Sequence, residues 1–351
     1  MYMRYIRFVS LILLMCFFSA CASTAPVAKE RYLWPPPPDE PKIEWLGVYY
    51  SESDLPGNTN SQVFEKLLGE SSSDLKFQSP LFVTSNSAGR VVVSDPSLNG
   101  FVNIDLNAKK FSVLGGSAMA DLVKPTGVDF DADGLVYAGD DPSRKIYVVN
   151  GDSKVVKVLD LSNDIKSVGS FVIDKKLKRI IIPDARLHKV AVFSLDGKLL
   201  NTFGKRGELD GEFNLPLSAA LDRSGNIYIV DSFNARIQKF SSEGVFISKF
   251  GKRGDGLGDF GVIKCVALDS DDNIYVTDAK FHRILVFNSN GILLLSLGAP
   301  HSQKLSEAIV AGGFLLPQGL YIDKTNRIYV ADMMNRRLQV FQYMPEKSIS
   351  K

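Results

Sequence analysis

His188, His282 and His301 are the only histidines in this 351-residue chain, and two of them repeat a position. His188 stands four residues after Asp184 and His282 four after Asp278, so a repeating fold would carry both to the same face. A catalytic zinc takes three protein ligands and keeps an open position. Asn99, four residues after Asp95, holds the equivalent place and is a poor ligand, which leaves His301 as the substitute third. His188, His282 and His301 are therefore the metal candidates, and the expectation is that no cofactor is bound.

Carboxylates recur more regularly. Asp95, Asp140, Asp184, Asp231, Asp278 and Asp332 each end a short apolar run. Six such groups could ring a cation, but aspartates in this setting more often accept backbone N–H bonds in turns. Arg236, Arg283 and Arg337 follow the last three by five residues and are expected to pair with them. Gly204-Lys205-Arg206-Gly207 and Gly251-Lys252-Arg253-Gly254 add further cations. Lys205, Arg206, Arg236, Lys252, Arg253, Arg283 and Arg337 would then share one face, a docking surface for an acidic protein, peptide or anionic polymer.

The elements that position these residues follow from the spacing of the six aspartates, which is 45, 44, 47, 47 and 54 residues. A period in this range marks an array of small sheets that bury their faces against one another. Residues 217–222, 226–230, 236–240 and 245–250 read as four strands separated by turn-forming residues. Six units of four strands predict an all-β, six-bladed β-propeller. Gly319 to Tyr343 supplies only three strands, while Ile43 to Tyr49 is a strand without a neighbour in sequence. The N-terminal segment is expected to complete the last blade and close the ring, which also removes an open sheet edge.

The start of the chain reads differently. Arg4 and Arg7 precede the apolar stretch from Phe8 to Phe18, followed by Ser19-Ala20-Cys21, the pattern of a secretory signal. The site resembles the lipobox of bacterial lipoproteins, which implies a lipidated Cys21, and Ala22 after it implies the outer membrane. Several acyl chains, at about 0.8 kcal/mol per buried CH₂, would hold the protein on a membrane. The expected organisation is a signal peptide over 1–20, a proline-rich linker over 21–41, a propeller over 42–345 with its closing strand at 42–50, and a tail over 346–351. A short helix is expected from Gln62 to Leu68.

Charge and cysteines narrow the classes further. Of 41 basic residues, Arg4 and Arg7 leave with the signal, so 39 then face 39 acidic ones. That balance argues against a general polyanion binder and leaves room for a local basic patch. Cys16 lies in the signal and Cys21 at the anchor, so Cys265 has no intramolecular disulfide partner in the mature chain.

The run from Leu221 through Asp222-Arg223-Ser224-Gly225-Asn226 to Asp231, followed by Asn234-Ala235-Arg236-Ile237 and preceded by Phe203-Gly204, Gly207, Gly211, Phe213 and Pro216, resembles the NHL-repeat family. Blade one departs most, with Asn86 where the other blades place Asp131, Asp174, Asp222, Asp269 and Asp323. The resemblance implies a six-bladed propeller and a spread of activities: RNA- and protein-binding modules, a zinc-dependent peptidyl-hydroxyglycine lyase and bacterial envelope lipoproteins. The lyase implies three histidines from separate blades, a set this chain lacks at matching positions. The expectation is a non-catalytic ligand- or protein-binding scaffold of the cell envelope, held to the membrane by lipid, with no nucleic-acid partner. The alternative is a metal-dependent propeller enzyme, a lyase or a calcium-type lactone hydrolase, with its site at the channel mouth. The long connection from Gly298 to Pro317 is a further candidate for recognition.

Overall fold

The structure is a computed structural model and describes residues 31–57, 75–304 and 307–345. The signal sequence, Cys21, the helix expected at Gln62 to Leu68, Ser306 and the tail lie outside the described residues.

The second strands show why this sequence makes blades. Ile227–Asp231, Ile274–Asp278 and Arg327–Asp332 are apolar nearly throughout and buried on both sides. A strand covered on both faces needs no polar alternation, because each blade lies between two others. Outer strands such as Leu199–Phe203 and Phe246–Phe250 are largely exposed. Five sheets have four antiparallel strands in sequence order, beginning at Val83–Ser85, Pro125–Phe130, Val172–Asp174, Pro216–Leu221 and Ile263–Leu268. The sixth contains Pro317–Ile322, Arg327–Asp332 and Arg337–Tyr343, and the chain is a six-bladed β-propeller.

The orphan strand closes the ring as expected. Ile43–Tyr49 pairs antiparallel with Arg337–Tyr343, from Ile43 opposite Tyr343 to Tyr49 opposite Leu338. Ile43 is buried between the last two blades, and Trp45 Nε1 donates to Gln339 Oε1 at 3.2 Å. Leu33–Trp34, inside the stretch expected to act as a linker, forms a fifth strand beyond it, with Trp34 edge-on to Phe341 at 5.8 Å. Its apolar side chains give this part of the proline-rich stretch something to bury.

Seams between blades explain the Phe-Gly motif. Gly204, Gly251 and Gly298 have φ of 83°, 93° and 101°, and a Cβ there would lie 2.2–2.5 Å from the rings of Phe213, Phe260 and Phe314. Each ring lies against the glycine and against Phe240, Phe287 or Phe341. Near the channel, Gly319 N–H donates to Leu81 O at 2.7 Å across the closing seam, and a Cβ on Gly319 would sit 2.5 Å from that oxygen. Gly319→Ala is therefore expected to cost about 1–3 kcal/mol by overpacking against backbone. Urea denaturation checks this, and an unchanged midpoint would show that the seam can spread.

Candidate functional site

The two ends of the propeller carry different chemistry, and the aspartates anchor both. At one end lie the connectors between blades and the loops between second and third strands. There Asp95, Asp140, Asp184, Asp231, Asp278 and Asp332 are fully buried. Each accepts backbone N–H bonds from the connector entering its own blade: Asp231 from Asn214 at 2.7 Å, Asp332 from Leu315 at 2.7 Å, Asp140 from Lys124 at 2.7 Å. These carboxylates are committed to the fold, as expected, although they hold connectors as well as turns.

Arg236 and Arg337 join them rather than the surface. Arg236 Nε lies 2.7 Å from Asp231 Oδ2 and Arg337 Nε lies 2.8 Å from Asp332 Oδ2. The remaining donors of Arg236 go to the connector carbonyls of Glu208, Leu209 and Glu212, and those of Arg337 to Gly313 O, Gln303 Oε1 and the Tyr50 hydroxyl. Both are buried, Arg337 completely, which removes them from the docking face expected of them. A guanidinium can be buried here because its rigid fork meets a carboxylate and several carbonyls at once.

Arg283 breaks the pattern. Its guanidinium stacks 4.9 Å from the Phe281 ring and donates to Asp259 O at 2.9 Å, and no ion pair with Asp278 forms. Blades four and six have Asn234 with Gln238 and Asn335 with Gln339 beside their pairs, whereas blade five has Phe281 and Leu285. The aromatic ring takes the cation that the amides elsewhere help to orient.

Lys205, Arg206, Lys252 and Arg253 do reach this end. Lys205 and Lys252 are exposed but lie 3.2 and 3.7 Å from Glu212 and Asp259. Arg253 donates to the carbonyls of Gly261 and Phe233. The basic character expected here is thus largely balanced within the loops. Apolar tips are what these loops expose: Leu257 is 88% and Leu209 71% exposed, with Phe233 and Met334 more than half exposed.

The histidines act as seam ties. His188 Nδ1 accepts Leu215 N–H at 3.2 Å, and His282 Nδ1 accepts Leu316 N–H at 2.9 Å, in seams two blades apart. His188, His282 and Asn99 share a left-handed backbone position with Arg144, Ala235 and Arg336, all with φ between 48° and 57°. His301 lies in the last connector, where its carbonyl accepts Asn335 Nδ2. Among the described residues, no three His, Cys, Asp or Glu side chains are placed to hold a metal.

At the opposite end the first strands turn back, and here the propeller is hollow. A cavity of about 700 Å³ is lined by Lys175, Lys176, Arg223, Ser270, Lys324 and the turns around them. It shares Lys175, Leu221, Leu268 and Ile322 with a channel of about 200 Å³ running between the first strands. Inside the channel Asp129 accepts from Thr84 Oγ1 at 3.0 Å and from Ile173 N–H at 2.8 Å. Burial raises the Asp129 carboxyl above the ordinary aspartate value, and nearby Lys175 opposes the shift. Burial likewise drives the Tyr321 phenol strongly upward. Cys265 is enclosed beside Ser218 and Leu320 O at 3.4 Å each, and burial raises its thiol, so it is a packing residue rather than a nucleophile.

Residues 217–296 match a family described as a 6-bladed β-propeller, DUF5128. Those residues are the inner strand of blade four through the outer strand of blade five. Among solved structures, a structural-genomics protein of unknown function from Bacteroides thetaiotaomicron aligns with a TM-score of 0.62 at 15% identity, over 78% of this chain and 71% of that one. A virginiamycin B lyase from Staphylococcus aureus gives 0.56 at 14% identity, over 76% and 96%. A streptogramin B lyase gives 0.54 at 10% identity, over 76% and 94%. At such identities the likeness is one of fold.

The channel-mouth residues were not among the expected site. Their signal is nevertheless in the sequence: Lys175, Arg223 and Lys324 each directly follow the aspartate of the first turn. Asn86 serves the same turn in blade one, accepting from Ala88 and Arg90 N–H at 2.9 and 3.0 Å, because the turn needs an acceptor oxygen and not a charge.

Proposed function

We propose that this protein is a non-catalytic binding scaffold, an NHL-type propeller lipoprotein anchored through Cys21 in the bacterial envelope, that docks another envelope protein through its connector face. The exposed apolar tips carry this reading. Leu209, Leu257, Phe233 and Met334 project from loops at this end, and the backbones at Leu209 and Phe233 are held by Arg236 and Arg253. Four exposed apolar side chains at the same end of the propeller, set among charged ones, suit a protein docking surface. Lys205, Arg206, Lys252 and Arg253 lie in that surround, and the exposed pairs of Lys205 with Glu212 and Lys252 with Asp259 can exchange for acidic residues at a partner's rim. The Arg4–Cys21 segment supports the address, and an envelope location disfavours nucleic acid.

Cross-linking in intact cells followed by purification from solubilised membranes tests the proposal. Changing Leu209, Phe233 and Leu257 together to Glu is expected to reduce recovery of the principal partner at least about tenfold, since central apolar contacts carry most interface energy. Reversing Lys205, Arg206, Lys252 and Arg253 to Glu is expected to have a smaller, salt-dependent effect. Identical partner profiles from both variants and the parent would overturn the docking role.

A further inference from the structure

We propose that Lys264 is a covalent capture site for a small aldehyde, at the opening of the channel on the connector end. The repeat defines its place. Five residues before Asn86, Asp131, Asp174, Asp222, Asp269 and Asp323 stand Leu81, Thr126, Gly169, Leu217, Lys264 and Gln318, one from the inner strand of each blade. Backbone bonds join this level across two seams: Gly127 N–H donates to Gly169 O at 3.0 Å and Gly319 N–H to Leu81 O at 2.7 Å. Lys264 is the only ionisable residue of the six. One residue further along these strands, Ser170, Ser218 and Cys265 begin the channel, whose walls then turn apolar at Ala219, Val266 and Leu320.

The Lys264 side chain is half-buried, and among the described residues its nitrogen has neither a hydrogen bond nor an ion pair, although it is not enclosed. Groups near it by register are already engaged. Asp278, opposite Ile263, accepts Gly261 and Val262 N–H, Thr277 Oγ1 donates to Gln318 O, Gln318 Nε2 donates to Leu316 O, and Cys265 Sγ lies 3.4 Å from Ser218 Oγ. Burial lowers the Lys264 ammonium below the ordinary lysine value, and no charged neighbour opposes it. A desolvated ammonium without a counter-charge costs stability, and the other five blades fill this level without one, so the fold does not require the charge. What desolvation provides is a neutral amine, the nucleophilic form of lysine. Its nitrogen adds to the carbonyl carbon of an aldehyde, the carbinolamine loses water, and a C=N bond replaces C=O while the surplus proton goes to solvent. Condensation turns a poorly solvated cation into a neutral imine, which the same burial favours. An aldehyde needs no leaving group and no added oxidant for this step.

Benzaldehyde, added to the full chain at neutral pH and trapped with cyanoborohydride, tests the site by peptide mass spectrometry. Lys264 is expected to be labelled at least about fivefold faster than the exposed Lys324, because a larger share of its amine is unprotonated. Its rate should also level off at a lower pH than that of Lys324. Gln318→Glu sets a carboxylate at the same level of the neighbouring strand, favours the ammonium, and is expected to slow Lys264 to the pace of Lys324. Lys264→Met is expected to lose the fast-labelled peptide and to melt no lower than the parent. Labelling of Lys264 no faster than Lys324, one pH profile shared by both, or rates indifferent to Gln318→Glu would overturn the proposal. Should Gln318→Glu fail to fold, the rates and pH profile of the parent decide it.

Discussion

Arg337→Leu is expected to destabilise the protein by about 3–5 kcal/mol at neutral pH, the cost of stripping a buried carboxylate of its cation. Arg337 is fully buried and joins three segments: Asp332 at the end of the second strand, Gly313 and Gln303 in the last connector, and Tyr50 just after the closing strand. Burial already raises the Asp332 carboxyl, and the charge of Arg337 is the main influence opposing it. Without that cation the folded-state value rises further above the unfolded one. The variant should then regain stability as pH falls from the raised value toward the ordinary aspartate range, because the folded state holds the proton more tightly. Chemical denaturation of both proteins at neutral and mildly acidic pH reads this directly. Arg283→Leu, at the equivalent position but without an aspartate pair, should cost clearly less. Equal losses at the two positions would mean that packing, not charge, is what Arg337 contributes.

Removing residues 32–50 is expected to lower the melting temperature by about 10 °C or more. Seven residues leave the edge of Arg337–Tyr343, whose N–H and C=O groups then face solvent and invite strand exchange with other chains. Ile43 and Val48 alone bury side chains worth about 1.5–3 kcal/mol each. At roughly 2–4 °C per kcal/mol for a large domain, these two account for most of the shift. Aggregation on heating should increase with it, visible by light scattering. A truncated protein that melts like the parent and stays monomeric would show that the last blade is stable with three strands.

Much of the architecture was readable because a propeller repeats its accounting six times. Each blade must cap its first turn, hold its incoming connector and bury two faces of its second strand, so aspartates and apolar runs recur at a fixed interval. The unequal strand count of the last unit then identified Ile43 to Tyr49 as the missing piece. The short strand Leu33–Trp34 was not readable in the same way, since two residues beside a proline run carry no period.

Site residues were harder to read, and Arg236 and Arg337 show why. A sequence position reports that an arginine follows an aspartate by five, but not whether the pair sits in water or under a connector. The neighbouring Asn and Gln side chains decide burial, and Phe281 redirects Arg283, yet each of these substitutions looks minor in a list of residues. The acidic partners of Lys205 and Lys252 lie only seven residues further on, but spacing alone does not show that each loop folds back to bring them together.

The sequence by itself determined the repeat, the blade count and the ring closure, since these depend on local pattern and on how many strands are left over. Only the tertiary structure decided which charges are spent and which are available. Charge balance depends on distances across seams and turns: it buries Arg337 against Asp332, commits Nδ1 of His188 and of His282 to backbone N–H groups, and sets Lys205 and Lys252 beside Glu212 and Asp259.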